Sequence, residues 1–434
     1  MRKLIFLITS LLMFGAALSA RAEGGRKHSP TSKYPSYDGL VMCGYQGWYR
    51  APTDGSNMGW GHYALLGKFD ADNVHMDFWP DVSEYEKTYP TALKNPDGST
   101  ARVFSPWDQS TTDVHFRWMQ EYGIDGVFVQ RFFDYVRTNE ARRRSRTVLQ
   151  NALQSSEKYG RAFAVMYDLS GIRASGEDCS AIIEDWKELV DELKLTNRGP
   201  NQTYLYQNRK PIVAIWGLGF PDRAYKTESI GVEKLIDFLK NDPQYGGCAV
   251  MLGVPTYFRT LDIDCLPDPY LHKVIESADM VLPWTVQRFT PLLQAEPERY
   301  AAQVKADIAW CNERHLDYVP CIYPGFSWHN LGKVEFGGGP ILNQIPRQKG
   351  AFYWSLASSA MKSGAKMLYV AMFDEMDEGT AIFKCTNTLP VGPQLCDYEG
   401  LPSDHYLWLT GEAGKMLRGE IPFSAKQPVR SETK

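Results

Sequence analysis

The chain carries a dense group of acidic residues near its C-terminal end. Asp374, Glu375, Asp377 and Glu378 fall within five positions, directly after the apolar run 366–372, which is typical of a buried strand. Carboxylates at the end of a buried strand cost free energy unless they are solvated, paired or used in a reaction. The group therefore indicates either a hydrolytic site or the start of a helix, whose positive dipole end also favours acidic residues.

Two of these carboxylates are candidates for acid-base catalysis. Glu375 and Glu378 lie three residues apart and share a face if the chain turns helical after the strand. Cleavage of a glycosidic bond needs a proton donor for the leaving oxygen and a second group that assists attack at the anomeric carbon. Repulsion between the two like charges should raise one pKa, leaving one protonated acid and one ionised base. Calcium binding is the rival use, but the alternating D-x-D-x-D-G pattern is missing from the segment, so neither a metal nor a cofactor is predicted.

The elements that must position this group alternate between strand and helix. Buried parallel strands are encoded as continuous apolar runs, and alternation of such runs with helical patterns predicts a parallel sheet. Eight such units over 434 residues predict an α/β fold, a (β/α)8 TIM barrel with a long loop insertion after the first strand at about 50–110. A doubly wound sheet is the alternative, but no Gly-rich phosphate turn follows the first strand. The predicted strands are 39–48, 126–131, 163–168, 212–216, 248–253, 280–284, 318–323 and 367–373, and the helical intervals are 111–122, 141–159, 180–194, 232–241, 296–315, 346–364 and 402–418.

The residues expected at the strand ends are aromatic and acidic, with one cation. In a (β/α)8 barrel the active site lies at the C-terminal ends of the strands. Aromatic rings that stack on sugar faces, with paired carboxylates, are typical of a glycoside site, although a single Trp is more often part of the core. Arg131 either pairs with Asp168 or favours an acidic or sulfated sugar. The predicted substrate-binding residues at strand ends are Trp48, Tyr49, Arg131, Tyr167, Asp168, Trp216, Trp284 and Trp328.

Composition and the N-terminal segment restrict the class of protein to which the chain can belong. A net charge of −4 argues against a nucleic-acid partner. Residues 1–22 have a basic start, a short apolar stretch and an A-x-A site at Ala20 to Ala22, which predict a signal peptide and export to the periplasm or the medium without a membrane span. Residues 23–36 are predicted to be a flexible lead-in and 37–425 a single catalytic domain. In an exported chain, Cys385 and Cys396 are candidates for a disulfide.

Several stretches resemble the glycoside hydrolase family 71/99-like proteins, which include the family 99 endo-α-1,2-mannosidases and mannanases. The segment 347–380 is similar to that family's E-x-x-E-G-T site. The resemblance implies that Glu375 is a base for the sugar 2-hydroxyl, that Glu378 is the acid/base, and that α-mannosides are cleaved with net retention. It also adds His62 to the substrate-binding candidates. The other matching residues are Gly47, Trp48, Tyr49, Pro52, Asp54, Gly55, Phe78, Trp79, Pro80, Tyr85, Phe104, Ser105, Trp118, Met119, Tyr122, Gly123, Ile124, Asp125, Lys210 and Pro211.

The chain also departs from that family at three places. Met376 and Asp377 stand where the family usually has Trp and His, and strand three carries Tyr167 and Asp168 rather than a Glu-Pro context. Strand two ends in Gln130 and Arg131 rather than Ser-Trp, so all three differences fall in the expected substrate pocket. We therefore expect an exported glycoside hydrolase acting on a poly- or oligosaccharide. The alternatives are a non-catalytic carbohydrate-binding protein on the same barrel and, less favoured, a polysaccharide lyase.

Overall fold

The structure is a computed structural model that describes residues 25–64, 67–173 and 176–430. The predicted signal peptide, residues 1–22, lies outside these ranges. Every predicted apolar run contains a strand, and every predicted helical interval contains a helix. The strands are β1 (Val41–Tyr45), β2 (Tyr89–Lys94), β3 (Thr100–Val103), β4 (Gly126–Phe132), β5 (Ala162–Asp168), β6 (Tyr206–Gln207), β7 (Lys210–Trp216), β8 (Ala249–Pro255), β9 (Met280–Trp284), β10 (Asp317–Tyr318), β11 (Cys321–Ile322) and β12 (Leu368–Val370). The helices are α1 (Gln109–Tyr122), α2 (Phe133–Val136), α3 (Asn139–Tyr159), α4 (Ser180–Glu192), α5 (Val232–Asn241), α6 (Tyr270–Glu276), α7 (Glu296–Glu313), α8 (His329–Phe336), α9 (Ala351–Lys362) and α10 (His405–Leu417).

The parallel strands close into a barrel. Their order is β10-β9-β8-β7-β5-β4-β1-β12-β11. The two ends of this order belong to one stretch of chain, because β10 pairs with β9 while β11, three residues further on, pairs with β12. The backbone N–H of Val319 donates to Val281 at 2.8 Å, and the carbonyl of Pro320 accepts from Tyr369 at 3.0 Å. The seventh barrel strand is therefore broken in two at Pro320, and the predicted (β/α)8 barrel is confirmed.

Large side chains fill the barrel interior, and the absence of a side chain at Gly44 makes room for two of them. A Cβ on Gly44 of β1 would lie 2.2 Å from the Met372 side chain and 2.3 Å from the Tyr369 hydroxyl. Both side chains are almost fully buried, and any larger residue at position 44 would displace them from the barrel axis. The close packing of this end of the barrel thus depends on the missing side chain of Gly44.

The longest helix of the outer ring has a clear start and stop. Thr138 accepts a hydrogen bond from the backbone N–H of Ala141 at 3.1 Å and so caps the start of α3. Gly160 ends the helix in the left-handed conformation, with φ of 59°. Leu149 and Leu153 lie on its buried face against the barrel. Local capping and one apolar face therefore define this helix.

The predicted insertion after β1 is present and is fastened to the barrel. It contains the antiparallel hairpin β2–β3 and returns to the barrel at α1. Asp77 of the insertion is fully buried and accepts hydrogen bonds from the backbone N–H groups of His329 (2.7 Å) and Asn330 (2.9 Å) at the start of α8. The Asn330 amide donates to the same carboxylate at 2.7 Å. The insertion therefore covers the end of the barrel as an integral layer.

Residues 25–36, predicted to be a flexible lead-in, are hydrogen bonded to the segment that precedes β7. Ser29 donates from its backbone to Thr196 at 2.9 Å, and Lys33 donates to Gln202 at 3.0 Å. Tyr206 in turn donates to the carbonyl of Tyr34 at 2.9 Å. Three backbone contacts thus hold this stretch against the barrel.

The predicted disulfide is not formed. All eight cysteines are free and buried. The Cys385 thiol is hydrogen bonded to Tyr398, whereas the Cys396 sulfur lies 3.7 Å from the Ser327 hydroxyl, so the two thiols face different neighbours. Burial raises the pKa of both thiols to about 12. None of the helices in the described ranges is long and apolar enough to cross a bilayer.

Candidate active site

The acidic segment lies at the carboxyl end of β12, the face of the barrel where such folds do chemistry. The backbone N–H of Phe373 donates to Gly44 at 2.8 Å, which keeps the segment beside β1. Residues 374–380 then form turns, closed by hydrogen bonds from Gly379 to Met376 (3.3 Å) and from Ala381 to Glu375 (2.8 Å). Glu375 and Glu378 therefore reach the same cavity through turns, and residues 374–380 do not form the helix on which a shared helical face would have depended.

Asp374 ties the segment to the end of β1. Its two carboxylate oxygens accept hydrogen bonds from the backbone N–H groups of Gln46 and Gly47, each at 2.8 Å. The side chain is 1% exposed, and burial raises its pKa to about 7 although both N–H groups favour the charged form. Asp374 thus positions the first and last barrel strands and does not reach the cavity.

Glu375 is held from two sides. The side-chain amide of Gln46 donates to Oε1 at 3.0 Å, and the hydroxyl of Thr380 donates to Oε2 at 2.9 Å. The side chain is 3% exposed. Burial, followed by the charges of Glu378 and Asp377, raises the pKa of Glu375 well above its ordinary value. The two carboxylates predicted to do chemistry are therefore close enough to interact, as the spacing predicts.

Tyr49 positions the segment from within the protein. Its hydroxyl donates to Asp377 at 2.9 Å and accepts from the backbone N–H groups of Met376 (2.8 Å) and Asp377 (3.2 Å). The ring is fully buried, so Tyr49 does not meet a substrate, contrary to the prediction from its place at the end of strand one. The other Asp377 oxygen lies 3.1 Å from Nδ1 of His62.

The turn after the carboxylates rests on a buried arginine. Arg347 donates to the carbonyls of Gly379 (2.8 Å) and Ala381 (2.7 Å). Its guanidinium lies 4.4 Å from the Phe78 ring centroid and 4.9 Å from that of Tyr398. A cation enclosed by aromatic rings and two carbonyls fixes the path of the chain behind Glu378.

Two cavities meet at the carboxyl pair. The cleft over the barrel mouth has a volume of about 420 Å³. The insertion-side cavity, between the barrel and the inserted loop, has a volume of about 370 Å³. Trp48, Glu375 and Glu378 line both cavities. The pair therefore has open space on two sides.

The structure gathers six of the nine predicted substrate-binding residues around this pair. His62 lines the insertion-side cavity. Trp216 and Trp284 meet edge to face with ring centroids 5.4 Å apart. Trp328 donates from its indole nitrogen to Gln344 at 3.0 Å. The cleft is lined by Trp48, Asp168, Trp216, Trp284 and Trp328.

Arg131 and Tyr167 lie on the other side of the barrel wall, which corrects the prediction for both. β4 and β5 pair in register with Arg131 opposite Tyr167, and successive side chains of a strand point to opposite faces. Both therefore point away from the cleft, where Asp185 of α4 accepts from Arg131 Nε at 2.8 Å and from the Tyr167 hydroxyl at 2.8 Å. The neighbouring Asp168 points into the cleft, so the expected pair between Arg131 and Asp168 does not form.

Trp48 presents its edge to the cavities. Its ring stacks on His62 with centroids 3.7 Å apart and planes 3° from parallel, and Phe132 covers it at 5.2 Å and 22°. With both faces occupied, Trp48 cannot act as the stacking platform predicted for it. Its contribution to binding is confined to the ring edge and the indole N–H.

Several cleft residues were missed from the sequence. Gln46 stands two positions before Trp48, and Phe132 directly follows the predicted end of strand two. Arg223 comes from the loop after β7, with its guanidinium 5.1 Å from the Trp216 ring centroid. Burial raises the pKa of Asp168, while the nearby Arg223 charge opposes that rise. A window extended to both sides of each predicted strand end would have found Gln46 and Phe132, but no sequence signal marks Arg223.

No group of three or more His, Cys, Asp or Glu side chains within 25–64, 67–173 and 176–430 is arranged to hold a metal ion. Asp374, Glu375 and Asp377 are each engaged by the protein donors described above. The arrangement can supply two interacting carboxyl groups, one deep and firmly held, at the junction of two cavities.

Comparison with known proteins supports the fold. No family model and no curated protein matches the sequence. Among solved structures, the GH99 endo-alpha-mannosidase from Bacteroides thetaiotaomicron in complex with BIS-TRIS-propane is similar with a TM-score of 0.60 at 14% identity, over 88% of this chain and 98% of that one. A second structure of the GH99 endo-alpha-mannosidase from that organism gives a TM-score of 0.59 at 16% identity, over 88% and 99%. At these identities the likeness establishes a shared barrel fold, in line with the resemblance noted in the sequence.

Proposed function

We propose that this chain is a glycoside hydrolase in which Glu375 and Glu378 form the catalytic carboxyl pair. The observation that carries the proposal is the position of the pair, at the carboxyl end of the last barrel strand and at the junction of two cavities. Glycosidic cleavage needs two carboxyl groups with different protonation, and like charges in a buried setting supply that difference. The similarity in fold to GH99 endo-alpha-mannosidases supports the same reaction class.

The two cavities favour cleavage within a glycan chain. A site that removes single terminal sugars is closed beyond one sugar unit on one side of the scissile bond, whereas a site that cuts within a chain is open on both sides. Here about 420 Å³ is open on one side of the pair and about 370 Å³ on the other. We therefore infer that sugar units bind on both sides of the bond that is cut, with Trp216 and Trp284 in the cleft and His62 in the insertion-side cavity.

Glu375 is proposed as the base and Glu378 as the acid. The Gln46 amide and the Thr380 hydroxyl donate to Glu375 and stabilise its charged form, while its raised pKa makes it a strong proton acceptor once ionised. Glu378 lines both cavities and so can reach the leaving oxygen. The resemblance to the 71/99-like proteins implies the same division of roles.

The proposed reaction has two steps. Glu375 takes the proton of the sugar 2-hydroxyl, the freed oxygen attacks the anomeric carbon, and Glu378 protonates the leaving oxygen as the glycosidic bond breaks. Water next opens the epoxide-like intermediate from the opposite face, giving its proton to Glu378, and Glu375 returns its proton to the 2-oxygen. These two steps together give net retention at the anomeric carbon. We propose α-mannoside-like glycans as the substrates.

Release of reducing ends tests the proposal. The purified chain is incubated with α-mannan, α-mannooligosaccharides and a panel of other polysaccharides. Glu375→Gln and Glu378→Gln should each reduce release by at least about 1,000-fold, in the range seen when members of a catalytic unit are removed. Glu313→Gln is the matched control, because that side chain is 74% exposed at the end of α7 and should leave the rate unchanged.

Two other outcomes would redirect the proposal. A wild-type chain that binds a glycan but releases no reducing end from any substrate would be a carbohydrate-binding protein. Products that absorb in the ultraviolet would indicate a lyase, because elimination leaves a double bond in the new terminal sugar.

We also propose that the protein is exported and loses residues 1–22. The support is the basic, apolar and A-x-A pattern of that segment. Mass spectrometry of the protein from the periplasm or medium should give an N-terminus near Glu23, and recovery of an intact Met1 form from the cytoplasm alone would contradict export.

A further inference from the structure

A third cavity, the side chamber, lies behind Gln46 and Trp48. Its volume is about 250 Å³, and it is lined by residues at the ends of β1 and β4, by the insertion and by α3. Gln46, Trp48 and Gln130 line both the side chamber and the cleft, whereas Glu375 and Glu378 are not part of its wall. The side chamber is therefore a separate compartment that adjoins the catalytic cleft.

Three buried polar atoms of its wall lack a hydrogen-bond partner within the part of the chain that the structure describes. They are Oε1 of Gln46, Nε1 of Trp48 and Nε of Arg50. Gln46 is only 8% exposed, so its carbonyl oxygen is not satisfied by bulk solvent. Buried polar atoms are almost always paired, so the described residues leave this part of the wall incompletely satisfied.

The side chamber carries a positive charge with weak protein partners. The guanidinium of Arg50 donates to the Met58 sulfur at 3.5 Å, and Arg144 approaches the same sulfur at 3.9 Å. A thioether is a poor acceptor for a cation. Arg144 also pairs with Glu140, but no ion pair of Arg50 is present in the described ranges. The one carboxylate in the wall, Asp134, is paired with Arg137.

The position of Arg50 is fixed by its packing. Its guanidinium lies flat on Gly61, where a Cβ would come within 2.4 Å of Nε and 2.8 Å of Cζ. Trp107, Val148 and Leu149 add apolar surface to the wall of the side chamber. A cation held in place together with apolar surface suits a ligand with one anionic group and an apolar body.

We propose that the side chamber binds a small apolar carboxylate, such as an aromatic acid. Its carboxylate accepts from the Arg50 guanidinium, and its ring packs against Trp107 and Leu149. A dry cavity of roughly 150 Å³ is enough for benzene, so 250 Å³ holds a ring with a carboxylate. Because Gln46 lines the side chamber and its amide donates to Glu375, the occupant lies beside the residue that positions the proposed base.

Calorimetric titration of the mature chain with benzoate and with benzyl alcohol tests the proposal, independently of any hydrolysis. Benzoate should bind at one site at least tenfold more tightly than the neutral alcohol. Arg50→Gln should remove that preference, and Arg102→Gln in the β2–β3 hairpin, the matched control, should keep it. Val148→Phe should abolish binding, because Val148 lines the side chamber and neither of the other two cavities.

Three results would overturn the proposal: no binding of benzoate, equal binding of benzoate and benzyl alcohol, or an unchanged preference in Arg50→Gln. Galacturonate as a third titrant separates an apolar acid from a sugar acid, and binding as tight as that of benzoate would overturn the apolar part. Thermal melts establish that each variant is folded. If Arg50→Gln is not, the comparison of the three titrants on the wild-type chain still decides the outcome.

Discussion

The side-chain amide of Gln46 donates to the carboxylate of Glu375 at 3.0 Å, linking the end of β1 to the segment after β12. This contact fixes the orientation of the deeper carboxylate, because only the Thr380 hydroxyl holds its other oxygen among the described residues. The geometry of the proposed catalytic pair therefore depends on a residue of the first barrel strand, which is far away in the sequence but adjacent to the last strand in the closed ring.

Gln46→Leu should lower kcat more than it changes KM. A hydrogen bond to a charged group contributes about 1.5–3 kcal/mol, so we expect a fall in kcat of roughly 10- to 100-fold. Steady-state kinetics on the best substrate of the panel give both constants. Gln120→Leu, on the outer face of α1, is the control and should match the wild type. A rise in KM alone would mean that Gln46 binds substrate and does not position Glu375.

The pH dependence of kcat/KM should report the raised pKa of Glu375. As the base, Glu375 must be ionised, so the rate falls as pH drops through that pKa, and the acidic limb should lie above the ordinary glutamate value of about 4.3. Rates measured from pH 4 to pH 9 give the profile. If activity instead holds at acidic pH and is lost on raising the pH through this pKa, Glu375 is the acid and the roles of the pair are reversed.

Asp374→Asn should destabilise the fold. Both oxygens of Asp374 accept backbone N–H groups, and an amide nitrogen at one of these positions would leave one buried N–H facing another donor. An unsatisfied buried group of this kind costs about 1–3 kcal/mol. Urea unfolding of this variant and of Asp134→Asn, whose side chain is 62% exposed, should separate the buried effect from the loss of a charge.

Arg131→Ala should reduce stability and leave KM unchanged. Arg131 and Asp185 are 1% and 0% exposed, and removing one partner of a buried ion pair costs roughly 3–5 kcal/mol. Denaturant unfolding measures the loss, and KM is determined at a temperature where the variant is folded. A large rise in KM in the folded variant would restore Arg131 as a substrate-binding residue.

Alkylation under denaturing conditions without reductant should modify all eight cysteines. The Cys385 thiol contacts Tyr398 and the Cys396 thiol contacts Ser327 in the folded chain. Intact-mass measurement counts the labels directly, and a chain that takes up only six would contain the disulfide that the sequence pattern suggests.

The strand order was predictable because buried parallel strands are encoded as continuous apolar runs, most of which a helical pattern follows. The helix α6 after β8 was not predicted. The direction of single side chains was not. A strand buried on both faces has no polar-apolar alternation to mark which residues point inward, so nothing in 126–132 distinguishes Gln130 from Arg131. Tyr167 and Asp168 on the next strand pose the same problem. Side chains two positions apart on a strand point to the same face, as Asp168 and Met166 do. One residue known to point inward would therefore show which member of each pair faces the cleft.

The acidic pair itself was predictable, because four carboxylates after an apolar run are rare and costly. Its surroundings were less so. Arg223 reaches the cleft from a loop whose course is set by packing on Trp216 and Phe220, and no local pattern encodes that course. Trp48 was correctly placed at the cleft, but the ring of His62 that covers it comes from the insertion, fourteen positions later, through a contact that only the folded chain reveals.

The anchoring of the inserted loop has a consequence for how this barrel can be re-engineered or can diverge. His62 and Asp77 belong to the loop, yet one contacts Asp377 and the other holds the start of α8. Loop and acidic segment are thus mutually dependent, so a chimera that exchanges the loop alone should distort the proposed catalytic centre. Transfer of the loop to another barrel would require residues 50–108 and 327–380 to be transferred together, although the two segments lie far apart in the sequence.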